Sequence, residues 1–419
     1  MKKIVFIFLI LFACSIFAQT WETQNSGVKC TLRSICFIDS LNGWIVGDSS
    51  TILKTNDGGK NWSKQSSPIK FTSLTKIQFV SKAVGFIVGT GGLFMSTSDG
   101  GINWAVNYIM PDSSGFSYGD FCFVNENEGW VPGRKEGRNY GIGLIMHTTN
   151  GGKTWEKQLE TFTNIQTQAK YFSSIKFIDN KIGWALASDY FDAGSATLIY
   201  KTENSGQKWD NVGRIETYPE IKLEVISKDS LWVGGTLLAT SFDGGLHWSY
   251  ISDNLNQAQL ISPVSGLEGW IYYSYFYTQE KRILFTKDAG KTWREELKWN
   301  GPSIAGMTNR NGYLWIVGTD GYIKKRNSIF TSIKEEGSEL PNEFKLYPNY
   351  PNPFNPTTKI SFTIPEKGNV KLRVFDVLGR EVAILADGVY EAGNFPSGVY
   401  FCNLVSGSNS ITKKMLLVK

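Results

Sequence analysis

The stretch from Gly43 to Trp62 is copied along most of this chain. That repetition constrains the fold more than any other feature, because each copy of a repeat buries its apolar face against the next copy. The unit reads Gly43-Trp44-Ile45-Val46-Gly47 and, past a short turn, Thr51-Ile52-Leu53-Lys54-Thr55-Asn56-Asp57-Gly58-Gly59-Lys60-Asn61-Trp62. Its second half, an Asp-Gly-Gly-x-x-Trp pattern termed here the Asp box, recurs as Asp99 to Trp104, Asn150 to Trp155, Asn204 to Trp209, Asp243 to Trp248 and Asp288 to Trp293. The first half recurs as Gly85-Phe86, Gly129-Trp130, Gly183-Trp184, Leu231-Trp232, Gly269-Trp270 and Leu314-Trp315, so that with Trp44 there are seven anchors.

Each anchor follows a short alternating run such as Ser34-Ile35-Cys36-Phe37-Ile38 or Lys76-Ile77-Gln78-Phe79-Val80. Period-two alternation bounded by turn residues marks a strand. A repeat of about 40 to 45 residues with four short strands is the size of one propeller blade. The last repeat, Tyr313 to Asn327, lacks an Asp box, whereas Trp21-Glu22-Thr23-Gln24 repeats the post-box pattern of Trp62-Ser63-Lys64-Gln65. The N-terminal strand therefore completes the last blade and removes an open sheet edge. An all-β, seven-bladed β-propeller is expected.

The Asp boxes read as structural. Glycine serves where φ turns positive between the third and fourth strands. An Asp or Asn side chain accepts backbone N–H bonds in such a turn, which explains their interchange. The box residues are Asp57, Trp62, Asp99, Trp104, Asn150, Trp155, Asn204, Trp209, Asp243, Trp248, Asp288 and Trp293. Thirteen of the fourteen tryptophans sit at one of the two repeated positions, Trp299 being the exception, so they belong to the scaffold.

What varies between blades bears on function. Insertions interrupt the link between second and third strands at Arg134 to Gly143, Ser188 to Ala196 and Tyr273 to Lys281, and Glu160 to Lys170 lengthens the entry into blade four. In a propeller these links emerge on one face. They bring Arg134, Arg138, Tyr140, Tyr190, Phe191, Tyr273, Tyr275, Phe276 and Tyr277 to it, and aromatic and arginine side chains on loops compose recognition surfaces. The alternative is decoration of a solvent edge.

Met1 to Ala18 carries two lysines and an apolar core from Ile4 to Leu11, a run too short to span a bilayer, and reads as a secretory signal peptide. No transmembrane segment is expected. Its removal lowers the formal charge from +5 to about +3, too little to argue for nucleic acid or an anionic membrane. The remaining cysteines, Cys30, Cys36, Cys122 and Cys402, have neither disulfide-scaffold density nor zinc-site spacing. Cys36 and Cys122 occupy matching first-strand positions and read as small buried hydrophobes.

Enzyme signals are thin. His147 and His247 lie beside or inside Asp boxes, and no Ser/His/Asp order, phosphate loop or metal spacing appears. Asp boxes also occur in propeller glycosidases, but no Arg-Ile-Pro element is present. Asp120, Asp189 and Asp192 are the carboxylates from which a catalytic pair could be drawn. The expectation is no catalytic, cofactor or metal site, with a propeller glycoside hydrolase as the alternative.

The chain changes character at Ser328. A polar linker gives way to Leu346-Tyr347-Pro348-Asn349-Tyr350-Pro351-Asn352-Pro353-Phe354-Asn355-Pro356, alternating strands, Asp376-Val377-Leu378-Gly379-Arg380, Ser397-Gly398-Val399-Tyr400 and a closing run through Lys413 and Lys414. This region resembles the C-terminal sorting domain of cargo exported by the type IX secretion system. The resemblance implies a small immunoglobulin-like β-sandwich read by the outer-membrane machinery, with Pro351, Asn352, Pro353, Gly379, Arg380, Gly398, Lys413 and Lys414 in the sorting motif. Asn394-Phe395-Pro396 stands where that family usually has a further strand and turn.

The Gly-Trp-x-Val-Gly and Lys-Thr-x-Asp-Gly-Gly-x-x-Trp elements are similar to the propeller family of photosystem II assembly and stability factors. That resemblance implies a non-enzymatic binding scaffold. The expected organisation is a signal peptide at 1–18, a propeller at 19–327, a linker at 328–342 and a sorting domain at 343–419. The expected protein is a monomer at the cell surface or outside the cell, whose partners are the type IX machinery and an extracellular protein or glycan.

Overall fold

The computed structural model describes residues 21–110, 115–136, 140–164, 170–191, 194–216, 222–251, 258–274 and 280–327 and, toward the C-terminus, 345–346, 349, 354, 357–360, 362–363, 370–385, 389–391, 395–406 and 409–418. The expected signal peptide lies outside the described residues. The chain divides into two compact units between Thr331 and Ser332, within the segment expected to be a linker.

In the first unit the described strands form seven sheets, against seven anchors in the sequence. Blade one is representative: Leu32–Phe37, Gly43–Gly47, Thr51–Thr55 and Ser63–Lys64 lie side by side in chain order, all antiparallel. The last sheet closes as the sequence requires, with Trp21–Gln24 against Ile323–Arg326 in the register Trp21↔Arg326 to Gln24↔Ile323. Gln24 extends the closure into blade one, donating to Gly58 O at 3.2 Å and accepting from Trp62 Nε1 at 3.1 Å.

The apolar core lies between neighbouring blades. One cluster joins Trp44, Val46 and Ile52 of blade one to Leu74, Ile77, Phe79 and Met95 of blade two. The Gly-Trp anchor has a packing explanation at this interface. Trp44 stacks on Phe79 of the next blade at 3.6 Å, and Phe86, Trp130 and Trp315 stack in the same way on Phe123, Phe177 and Phe37. That phenylalanine ring lies directly over the glycine of its own blade: a Cβ at Gly43, Gly85 or Gly183 would stand 2.5 Å from Phe37, Phe79 or Phe177. Blade six keeps the glycine without the ring, a Cβ at Gly269 standing 2.7 Å from Pro263 Cα, and blades five and seven lack both. Val225 pairs with Leu231, and Asn309 with Leu314.

The insertions expected in the links between second and third strands lengthen the flanking strands in blades three and four. In blade three, Gly129–Glu136 and Tyr140–Thr148 continue pairing out to Glu136↔Gly141, and Glu156–Asn164 follows to Tyr140↔Asn164. In blade four, Gly183–Phe191 and Gly194–Thr202 pair as far as Phe191↔Gly194. An insertion at a hairpin end extends the ladder because that satisfies every backbone donor and acceptor that it adds. The first strand of blade three is instead broken into Phe116–Ser117 and Cys122–Phe123.

In the second unit, a four-stranded sheet in the order Glu381–Leu385, Val370–Phe375, Gly398–Ser406, Asn409–Leu417 packs under Leu346, Phe354 and Ile360. Leu372, Val374, Tyr400, Cys402, Leu404, Met415 and Leu417 complete that core, giving the two layers of a small sandwich. The shortened segment contributes to it: Phe395 packs on the core and Pro396 O accepts from Tyr400 Oη at 2.9 Å.

Candidate ligand face and the Asp boxes

The two faces of the propeller differ in what their links do. On the Asp-box face all six boxes close on themselves. Asp57 Oδ1 accepts from the backbone N–H of Asn61 at 2.9 Å, and Asp99, Asn150, Asn204, Asp243 and Asp288 accept from the residue four places on at 2.9 to 3.0 Å. A residue whose role the sequence reading missed completes each box. The hydroxyl of Thr55, Thr97, Thr148, Thr202, Ser241 or Thr286 donates to the Asp or Asn and accepts from the N–H of the second box glycine or its equivalent. Its fixed place two residues upstream was the available signal. The first glycine position is left-handed throughout, even where Ser205 (φ 62°) and Ala289 (φ 57°) occupy it.

Four of the six boxes also accept the neighbouring anchor, Trp315 Nε1 donating to Gly58 O at 3.4 Å. Trp44 Nε1 donates to Gly100 O at 3.1 Å, Trp184 Nε1 to Gly244 O at 2.9 Å and Trp130 Nε1 to Ser205 O at 3.3 Å. The two repeated motifs thus meet across blade boundaries. The anchors Trp44, Trp130, Trp184, Trp232, Trp270 and Trp315 are the fully buried tryptophans, whereas Trp62, Trp155, Trp209, Trp248 and Trp293 are half-buried against the preceding interface. Hydrogen bonds to the carboxylates hold Asp57, Asp99 and Asp243 down to about 2, chiefly those from the backbone N–H of Asn61, Asn103 and His247. His247 Nδ1 lies 2.6 Å from Asp243 Oδ2, and His147 stacks on Trp130 with Nε2 3.3 Å from Glu128, so the box framework holds both histidines.

The opposite face carries the long hairpins. Arg134 is exposed on the blade-three extension, beside Ser117 on one side and Gly143 on the other. Tyr273 is half-buried and packs against the core between blades five and six. Arg138, Tyr275, Phe276 and Tyr277 lie outside the described residues, as do the side chains of Tyr140, Tyr190 and Phe191.

The sequence reading also missed the central channel. A cavity of about 340 Å³ is lined by first-strand residues, Arg33, Lys76, Lys176, Lys222, Glu224 and Asn309 among them. Their charges are paired: between blades Lys76 pairs with Asp120 and Lys176 Nζ lies 3.0 Å from Glu224, and within blade one Arg33 Nη2 lies 3.0 Å from Asp48. Asp120 is buried and accepts from Ser174 Oγ and from the backbone N–H groups of Ile175 and Phe121. It is thereby committed to the fold, while the side chain of Asp189 and all of Asp192 lie outside the described residues. Cys36 and Cys122 are more than apolar filler, since each Sγ accepts a backbone N–H of the next blade, from Phe79 and Phe177, at 3.4 Å. Burial pushes the Cys36 thiol up from its ordinary range. All four cysteines of the described residues are free. Among those residues no group of three or more His, Cys, Asp or Glu could hold a metal, and no helix is long and apolar enough to cross a membrane.

In the second unit, Asp376 Oδ1 accepts from the N–H of Leu378 and Arg380, Arg380 Nε donates back at 2.7 Å, and Gly379 takes φ 75°. This closed turn holds Val377 and Leu378 exposed. Gly398 pairs with Leu417, and Lys413 and Lys414 are exposed on the last strand. Pro351, Asn352 and Pro353 lie outside the described residues.

Comparison with known proteins follows these elements. Residues 14–73 and 68–217 match the family described as photosynthesis system II assembly factor YCF48, and residues 348–419 match the secretion system C-terminal sorting domain. The chain is 26% identical over 193 residues to the photosystem II assembly lipoprotein Ycf48 of Synechococcus sp. strain CC9902, covering 46% of this chain and only 40% of that protein. It is 26% identical over 326 residues to Ycf48 of Nostoc sp. strain PCC 7120, covering 69% of this chain and 82% of that protein. Among solved structures, YCF48 bound to D1 peptide superposes with a TM-score of 0.53 at 18% identity, covering 73% of this chain and 96% of that one. An inactive virginiamycin B lyase from Staphylococcus aureus with quinupristin gives 0.52 at 12% identity, covering 73% and 98%. At these identities the structures bear on fold alone. The C-terminal match marks the chain for export to the cell surface or the extracellular space. The chain is a β-propeller of photosystem II assembly factor-like repeats that carries a C-terminal sorting domain.

Proposed function

We propose that this protein is a non-enzymatic binding scaffold, exported by the type IX system, that holds an extracellular protein or polysaccharide on the face carrying the long hairpins. The asymmetry between the faces carries this reading. Asp-box turns spend their polar groups on themselves and on neighbouring anchors, whereas the extensions of blades three and four project paired backbone that the propeller does not need for closure. Rigid hairpins suit recognition, because little conformational entropy is lost when a ligand docks on them. A peptide-bound relative with the same fold is consistent with this use.

The test is capture of a ligand from extracellular proteins and a polysaccharide panel by the full chain, comparing Arg134→Ala/Arg138→Ala with Lys60→Ala/Lys153→Ala on the Asp-box face. The first pair is expected to weaken capture at least tenfold, since a few residues dominate an interface, and the second to leave it unchanged. Equal capture by both would remove the hairpin face from consideration. Cleavage of a glycan by the unmodified chain would replace the scaffold by a glycoside hydrolase.

A further inference from the structure

We infer that the depression beside Phe71, on the hairpin face of the propeller between blades one and two, is a binding subsite for an acidic sugar of a polysaccharide. The inference deepens the scaffold reading and rests on it, but uses blades that carry no insertion. Phe71 is 91% exposed and has φ 59°. A bulky residue in the left-handed region is an outlier, and one without packing partners has no stability reason to be there.

The neighbouring turn shows how the conformation is held. Ser49 and Ser50 are also left-handed, at 54° and 55°, in the turn between second and third strands. The corresponding turns of blades two and seven use Gly91-Gly92 and Asp320-Gly321. Serine at the second of these positions provides what glycine cannot, because Ser50 Oγ accepts the Thr72 N–H at 3.1 Å while Ser50 N donates to Thr72 O at 2.7 Å. Ser50, left-handed like Ser49 before it, thus clamps the residue after Phe71, whose ring stands outward.

The depression measures about 540 Å³ and is lined by Lys64, Gln65, Ser66, Ser67, Lys70 and Phe71, together with Ser49, Ser50 and Ile69. It contains two lysines and no carboxylate, so its charge complements an anion. An exposed flat ring takes the C–H face of a sugar, the hydroxyls and the Gln65 amide match sugar hydroxyls, and the lysines meet a carboxylate or sulfate. A small number of placed polar groups around an aromatic surface is the usual make-up of such a site.

The experiment titrates the full chain with polygalacturonate and with dextran sulfate, which separate carboxylate from sulfate, and with neutral dextran and poly-glutamate. Binding of at least one acidic polysaccharide is expected, weakening with salt as exposed ion pairs do. Phe71→Ala should lose at least tenfold and Phe71→Trp should retain binding. Lys64→Gln/Lys70→Gln should lose both affinity and salt dependence. Ser50→Gly, which frees the clamp while suiting the backbone, should weaken binding without lowering the melting temperature. No binding of either acidic polysaccharide, equal binding by Phe71→Ala, or tighter binding of neutral dextran or poly-glutamate would each overturn the inference. Loss of acidic-polysaccharide binding in Arg134→Ala with full retention in Phe71→Ala would overturn it while leaving the scaffold reading intact.

Discussion

Substituting Gly85 by alanine tests the packing rule that links the anchor glycine to a phenylalanine in blades one to four. The added Cβ would lie 2.5 Å from Phe79 Cζ and 2.6 Å from Cε1, where ordinary carbon contacts are about 3.5 to 4.0 Å, so the ring must retreat by roughly an ångström. It has nowhere to go. Phe79 is stacked on Trp44 at 3.6 Å and meets the edge of Trp104 at 6.0 Å. Overpacking of this kind costs about 1 to 3 kcal/mol. Phe79→Val alone loses the stack and leaves a void, costing about 2 to 3 kcal/mol, somewhat below a full truncation to alanine. In the double variant the Cβ occupies space vacated by the ring, much as Leu231 stands beside Val225 in blade five. The two effects should therefore be non-additive by about 1 to 3 kcal/mol in the favourable direction. Guanidinium unfolding followed by tryptophan fluorescence measures all four corners, with midpoints compared at unchanged slope. Additivity within about 0.5 kcal/mol would refute the rule.

Two further outcomes follow from the boxes and the closure. The depressed carboxylates of Asp57, Asp99 and Asp243, at about 2, contribute stability that is present above the ordinary Asp range and lost as pH falls through about 2. Replacing them and Asp288 by Asn, the residue already present at positions 150 and 204, should flatten the acid limb between about pH 4 and pH 2 while leaving neutral-pH melting nearly unchanged; an unaltered acid limb counts against the role assigned to the carboxylates. Deleting residues 19–24 removes the strand paired with Ile323–Arg326 and both Gln24 hydrogen bonds, so the chain should aggregate or unfold over a broadened transition, and a monomer with wild-type melting would contradict the closure.

The sequence by itself determined whatever a single repeat encodes locally. A turn that needs left-handed backbone selects Gly58-Gly59, a carboxylate four residues before a free N–H selects Asp57, and alternation selects the strand faces, so the repeat, the boxes and the closing strand are all legible in Gly43 to Trp62 and its copies. The tertiary structure decided what passes between blades. Trp44 meets Gly100 and stacks on Phe79, while Lys76 finds Asp120 and Cys36 accepts from Phe79. In the sequence these partners stand a whole blade apart, and their residue types alternate as on any solvent-facing strand. The candidate site divides the same way. Arg134 was legible because an insertion breaks the period, but the pairing that turns its loop into a hairpin depends on the ladder beneath it. Phe71 left no such trace. Its φ of 59° and its outward ring stand next to the residue that a serine of the neighbouring turn clamps, and only folding brings that serine to Thr72.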